Sequence, residues 1–261
     1  MPISKDGIAI LSLREWEMRA GPKNPNHWVD GRSAKEAARA WLEGEGKKLP
    51  IEVSVALAGH KAFGPVQKWH AEPEAKIRFD SFAGEPRNSD LVVDVQDLHG
   101  SFLVAVEAKA DEPFGATVAK TLTAAHVRHS KNNRSNGVAR IEQLTKALLG
   151  PQPIGEPLDK DIRYQLLTAC AGALCEAERR GYSRTLMLVH EFITEKTTDE
   201  RHRRNADDLD IFVNRLSHGT VTTVRSAGIY GPFAVPGIPL ISRNTDLFIG
   251  KVSRNLRASG A

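Results

Sequence analysis

The run Phe102-Leu103-Val104-Ala105-Val106-Glu107-Ala108-Lys109 does most to limit what this chain can fold into. In an extended strand, Phe102, Val104, Val106 and Ala108 fall on one face and Leu103 and Ala105 on the other. Both faces are apolar, so the strand belongs at the centre of a sheet covered by helices on both sides. Yet it closes on Glu107 and Lys109, which project from one face about 7 Å apart. Charges at the end of a buried strand are costly unless they have partners.

The neighbouring segments supply a sheet around that strand. Lys76 to Phe82 and Leu91 to Gln96 are β-branched or aromatic-rich runs, separated by Gly84-Glu85-Pro86-Arg87-Asn88, and with Phe102 to Lys109 they predict a three-strand meander. Ahead of it, Ser33 and Glu36 fit a capping box that opens a helix, with Ala34, Ala37, Ala38, Trp41 and Leu42 as its apolar stripe. Pro50 to Ala58 suits a short helix, with proline at a first-turn position, although Val53-Ser54-Val55 would also suit a strand; the helix is the expectation. After the meander come helices over Thr117 to His129, Val138 to Leu149 and Asp161 to Arg180, the last ended by Gly181. Thr185 to Ile193 reads as a buried strand and Leu247 to Gly250 as a late one. The expected class is mixed α/β: a central mixed sheet with a three-strand meander, flanked by helices. A single domain over 1–261 is expected, with an N-terminal extension over about 1–32 and a loop-rich C-terminal elaboration over about 195–261.

Composition excludes several functions. No apolar stretch approaches the roughly 20 residues that span a bilayer, so no membrane association is expected. The first residues hold no basic segment followed by an apolar core, which predicts no signal peptide and a cytoplasmic location. Cys170 and Cys175 are the only cysteines, and their spacing on a helix turns them about 140° apart, against a disulfide or a zinc-thiolate site. His126 and His129 lack a third ligand. No Walker loop, dinucleotide glycine fingerprint or Gly-x-Ser-x-Gly elbow is present. A net charge of +4 among 36 basic and 32 acidic residues permits a polyanionic partner without demanding one. Arg201-His202-Arg203-Arg204 and the Lys131/Arg134 loop suit phosphate contacts or plain solvation equally.

Register brings out the candidate chemistry. A turn centred on Leu98-His99 places Gln96 opposite Ser101 and Asp90 opposite Glu107. Directly opposed residues have Cβ atoms roughly 4.5–5.5 Å apart, and like charges there repel. A divalent cation held by both carboxylates offsets that repulsion, with Lys109 beside it to hold a water or meet phosphoryl charge.

Asp90 followed 17 residues later by Glu107-Ala108-Lys109 resembles the bipartite PD-(D/E)xK motif of restriction-endonuclease-like nucleases. The helix, three strands, helix, strand order is similar to their common core. The resemblance implies Asp90 and Glu107 as ligands of Mg2+ (or Mn2+), Lys109 as the lysine assisting the attacking water, and DNA or RNA as substrate. It further implies Gln165, on the helix after the motif strand, as a catalytic residue, and Glu74, upstream of the aspartate, as an additional metal ligand. Glu36 and Glu43 are alternative sources of that carboxylate, and Glu112 either serves the site or caps the next helix. The sequence departs from the pattern in having Ser89 before the aspartate and Ala169 where a tyrosine often follows the glutamine. Many nucleases of this class pair two sites, so the resemblance admits a homodimer. Val106 to Gly115 and Arg163 to Leu167 are similar to the signatures of an uncharacterised bacterial group in this superfamily, a resemblance running from about Arg32 through most of the chain. The alternative is a non-catalytic module on the same scaffold that binds nucleic acid or protein.

Overall fold

The computed structural model describes residues 2–152, 154, 159–237, 241 and 244–257. The chain opens with a hairpin, β1 (Ser4–Lys5) and β2 (Ile8–Ala9), and continues through helices α1 (Leu13–Ala20), α2 (Ser33–Leu42) and α3 (Ile51–Ala58). The meander follows as β3 (Lys68–Ile77), β4 (Arg87–Asp97) and β5 (Gly100–Lys109). Then come α4 (Val118–Lys131), α5 (Gly137–Leu149), α6 (Tyr164–Arg179), β6 (Arg184–Ile193), α7 (Asp199–Leu216), β7 (Gly228–Phe233) and β8 (Asp246–Asn255).

Six strands form one mixed sheet in the order β3-β4-β5-β6-β8-β7. The meander is antiparallel, β5, β6 and β8 run parallel, and β7 returns antiparallel at the far edge. Helices cover both faces. On one, Leu91, Val104, Val106, Ala108 and Leu188 pack with Trp16 of α1, Trp41 of α2, and Val53 and Leu57 of α3. On the other, Met187, Val189, Leu247 and Ile249 pack with Leu166, Cys170 and Leu174 of α6 and with Leu209 and Phe212 of α7. Leu103 and Val92 meet Ala177 of α6 on that second side. The central strand β5 is therefore apolar and buried on both faces, and Glu107 and Lys109 point toward the α6 layer. Alanine and glycine along α6 keep its side chains short, which lets the helix lie close over the end of β5.

Several sequence expectations are corrected. The first strand of the meander spans Lys68–Ile77, not Lys76 to Phe82. Pro73 and Glu74 hid it: alternation reverses there, because Ala71 joins the core on one face while Ala75 and Ile77 join the core on the other. Proline is tolerated because β3 is an edge strand. The capping box is not formed. Arg32 is the N-cap of α2, Ser33 donates to Glu112, and the Glu36 carboxylate accepts the Gly31 N–H at 2.7 Å and an Arg39 N–H at 2.8 Å. The long helix starts at Tyr164, after a short 3-10 turn at Asp159–Asp161. Half of the Gly150 to Pro157 loop lies outside the described residues. The stretch beyond residue 195 is not loop-rich: it holds α7, 18 residues long, and two sheet strands. Charges on most of the solvent side of α7 mask its apolar stripe of Leu209, Phe212, Val213 and Leu216. The N-terminal extension contains α1, capped by Ser12, and docks on β3 through the Ala71 N–H to Pro2 carbonyl bond of 2.6 Å. No described helix is long and apolar enough to cross a membrane.

Candidate active site

The β4-β5 register runs as expected, from Gln96 opposite Ser101 to Leu91 opposite Val106. The ladder stops there, one pair short of Asp90 and Glu107. At that point a side chain takes over from the backbone: the Asp90 Oδ2 accepts the Ala108 N–H at 2.8 Å. The same interruption occurs between β3 and β4. Pro73 pairs with Leu91 and Ala75 with Ser89, so Glu74 lies across from Asp90 between them, outside the ladder. Glu74 adopts φ +48°, a left-handed conformation that is rare for a residue with a side chain. Such strain persists where the surroundings enforce it and gathers at functional sites. Three acids, Glu74, Asp90 and Glu107, thus lie in a row across three adjacent strands where both ladders break.

Glu107 is the best-connected of them. Its Oε1 accepts from Lys109 Nζ at 2.9 Å and from Gln165 Nε2, and its Oε2 accepts from Arg87. Gln165 reaches it from the first turn of α6. Arg87, at the start of β4, also donates to the Thr168 hydroxyl at 3.0 Å, one turn along the same helix. Lys109 lies 5.2 Å from the centroid of the Phe114 ring. Glu107 and Lys109 are 2% and 4% exposed, so this pair is sealed under α6, whereas Asp90 and Glu74 are half-buried.

The charges divide the acids by role. Burial pushes the Glu107 carboxyl upward, but the Lys109 and Arg87 cations outweigh it and hold the group below its ordinary value. Burial likewise works against the Lys109 cation, and the carboxylates of Glu107 and Asp90 more than restore it. Asp90 is pushed up to about 7, by burial first and then by the negative charge of Glu107, with Lys109 opposing and Glu74 adding. Glu74 is raised by burial, with Glu107 adding to it. Carboxyls driven apart in this way are a mark of sites that handle protons or cations.

The donor set suits a hard divalent ion of the magnesium type. Each ionised carboxylate oxygen has two lone pairs. Asp90 Oδ1 and the second lone pair of Glu107 Oε2 remain after the contacts above. Among the described residues no three His, Cys, Asp or Glu side chains converge to hold a metal. Magnesium commonly takes one or two carboxylates and keeps its waters, so two carboxylates suit it.

The other candidates fall elsewhere. Glu112 caps no helix, since Thr117 caps α4; its carboxylate accepts from Ser33 and from the Ala110 and Asp111 N–H groups at 3.1 and 2.9 Å, tying α2 to the segment after β5. Glu43 pairs with Arg254 at 2.8 Å. His126 and His129 are exposed on α4, and Cys170 and Cys175 form no disulfide with each other. Sequence reasoning missed Arg87, which it placed in a turn, and Glu191 at the end of β6, which pairs at 2.6 Å with His202 of the basic cluster. The readable signal for Glu191 was a second acid closing an apolar strand, in the manner of Glu107.

No curated protein and no solved structure matches the chain. One family model does, over residues 9–256, and it takes in every residue of this site. The chain belongs to that family, described as a domain of unknown function, DUF6946.

Proposed function

We propose that this protein is a metal-dependent nuclease on a restriction-endonuclease-like core, hydrolysing nucleic-acid phosphodiester bonds. The observation that carries the reading is the row of Glu74, Asp90 and Glu107 at a break in two ladders, with Lys109 and Gln165 fixed on Glu107. Asp90 and Glu107 would hold Mg2+ or Mn2+, with Glu74 in the outer ring of charge. An ion held there would supply a water activated for attack and offset charge on the phosphate. Lys109, kept cationic by Glu107 and Asp90, would place its positive charge beside that ion's ligands, where it offsets charge developing on the phosphate. Gln165 holds Glu107 in one rotamer, and Arg87 ties the same carboxylate to the Thr168 hydroxyl of α6.

A second reading has its own support. Arg87, Lys109 and Gln165 already satisfy most of the Glu107 carboxylate without a cation. That suits a non-catalytic binding module on a degenerate nuclease fold. Incubation with supercoiled, linear and single-stranded DNA and with RNA, in Mg2+ or Mn2+, separates the two. Cleavage that is lost in Lys109→Ala and Asp90→Ala supports the nuclease. Binding without cleavage by the parent, or equal cleavage by both variants, rejects it.

A further inference from the structure

Beside the Glu107–Lys109 pair, the same sheet face carries a second polar cluster. Glu191, near the end of β6, is the register partner of Lys109 on β5 and is 1% exposed. Partners on adjacent parallel strands share a face, with backbones about 4.8 Å apart. Three groups converge on the Glu191 carboxylate: His202 Nδ1 at 2.6 Å, Ser253 Oγ at 3.0 Å and Lys251 Nζ at 3.1 Å. A carboxylate paired with Lys251 only accepts, so Nδ1 of His202 carries the proton and Nε2 faces away from Glu191. The His202 side chain is 37% exposed, in contrast to the sealed carboxylate that holds it.

The placement of α7 holds this imidazole on the strand next to Lys109, through Glu191. Arg201 reaches Asp111 at 3.2 Å, and Asn205 donates to the Glu112 carbonyl at 2.9 Å. Both contacts fasten the first turns of α7 to the segment directly after Lys109. Arg203 and Arg204 on the same turns are exposed and form no ion pair among the described residues, which leaves them for a polyanion. A buried acid that fixes one imidazole nitrogen and presents the other is the arrangement used for proton transfer.

We propose that His202 is a general acid of the hydrolysis, donating its Nε2 proton to the oxygen that leaves phosphorus, with Glu191 as its positioning residue. This rests on the nuclease reading above. In the step, the water oxygen bonds to phosphorus as the bond to the leaving oxygen breaks. The imidazolium Nε2–H passes to that oxygen, the neutral ring keeps its Nδ1–H on Glu191, and solvent takes the proton of the attacking water and recharges the ring.

The test compares two substrates. DNA has a poor alkoxide leaving group that needs a proton, whereas a p-nitrophenyl ester of thymidine 5′-phosphate releases p-nitrophenolate without one. In His202→Gln the cleavage of DNA falls by about 10²- to 10⁴-fold, the usual range for a general acid, while p-nitrophenolate release stays within about threefold. Glu191→Gln gives the same selective loss to a smaller extent, and Lys109→Ala loses both substrates. Thermal melting reports folding, and His202→Asn, which keeps a donor for Glu191, substitutes if the glutamine variant melts early. Equal loss on both substrates, or loss on neither, overturns the proposal for His202 alone. If the parent cleaves neither substrate, the nuclease reading itself fails.

Discussion

Replacing Asp90 by asparagine stabilises the metal-free protein at alkaline pH. The Asp90 carboxyl has an ordinary value of 3.8 and is pushed up to about 7 in the fold. Between those values the folded state holds a proton that the unfolded state has released. Stability therefore falls as pH rises through that window, and it stays low above it. A displacement of that size corresponds to about 4 kcal/mol. Asp90 is half-buried, and solvent screening of its repulsion with Glu107 and Glu74 reduces the figure to about 1–2 kcal/mol. Asparagine keeps an acceptor for the Ala108 N–H and carries no charge. For a chain of this length the gain is about 2–4 °C in Tm. The assay is thermal melting with a chelator at pH 8.5 and at pH 3.5, below the ordinary value of 3.8, where the carboxyl is protonated in most of the folded and unfolded molecules alike and the two proteins melt close together. Destabilisation of Asp90→Asn at pH 8.5, or an equal gain at both pH values, would refute the placement of Asp90 against its neighbours.

Other perturbations probe the scaffold. Asp97 accepts from Arg184 at 2.8 and 3.1 Å and from the Gly64 and His99 N–H groups at 2.8 Å each, and although burial opposes it these contacts hold its carboxyl down at about 2. Asp97→Ala leaves Arg184 buried without its carboxylate and costs about 3–5 kcal/mol in urea unfolding. In the parent, the stabilisation from this depressed carboxyl is present above its ordinary value of 3.8 and disappears as pH falls through about 2, which acid titration by circular dichroism follows. At Glu74, glycine accepts φ +48° more readily than glutamine does, so Glu74→Gly is about 0.5–1 kcal/mol more stable than Glu74→Gln. Equal stabilities would remove backbone strain from the account.

The parts legible in the sequence were those that period and turn chemistry decide. The apolar alternation of Phe102 to Lys109 required a central strand, and the Leu98-His99 turn set its register with β4 correctly to within the last pair. Gln165 was placed near the site by resemblance, and it does contact Glu107. What was not legible depended on tertiary context. A left-handed residue inside an edge strand breaks the alternation that identifies strands, so the true start of β3 at Lys68 was invisible. The helix α7 buries only a narrow stripe and looks polar when read along the chain. Arg87 follows a proline and was read as loop, yet its guanidinium crosses to Glu107 on the next strand. Contacts of that kind are set by how β4 and α6 come together and leave no local signature.

Titration calorimetry with Mg2+ and Mn2+ tests the central claim most directly. One ion binds per chain in the parent and in Lys109→Ala, which removes no ligand, and binding is lost in both Asp90→Ala and Glu107→Ala. Absence of binding in the parent, or binding that survives the loss of Asp90 and of Glu107, would contradict a metal site between these two carboxylates.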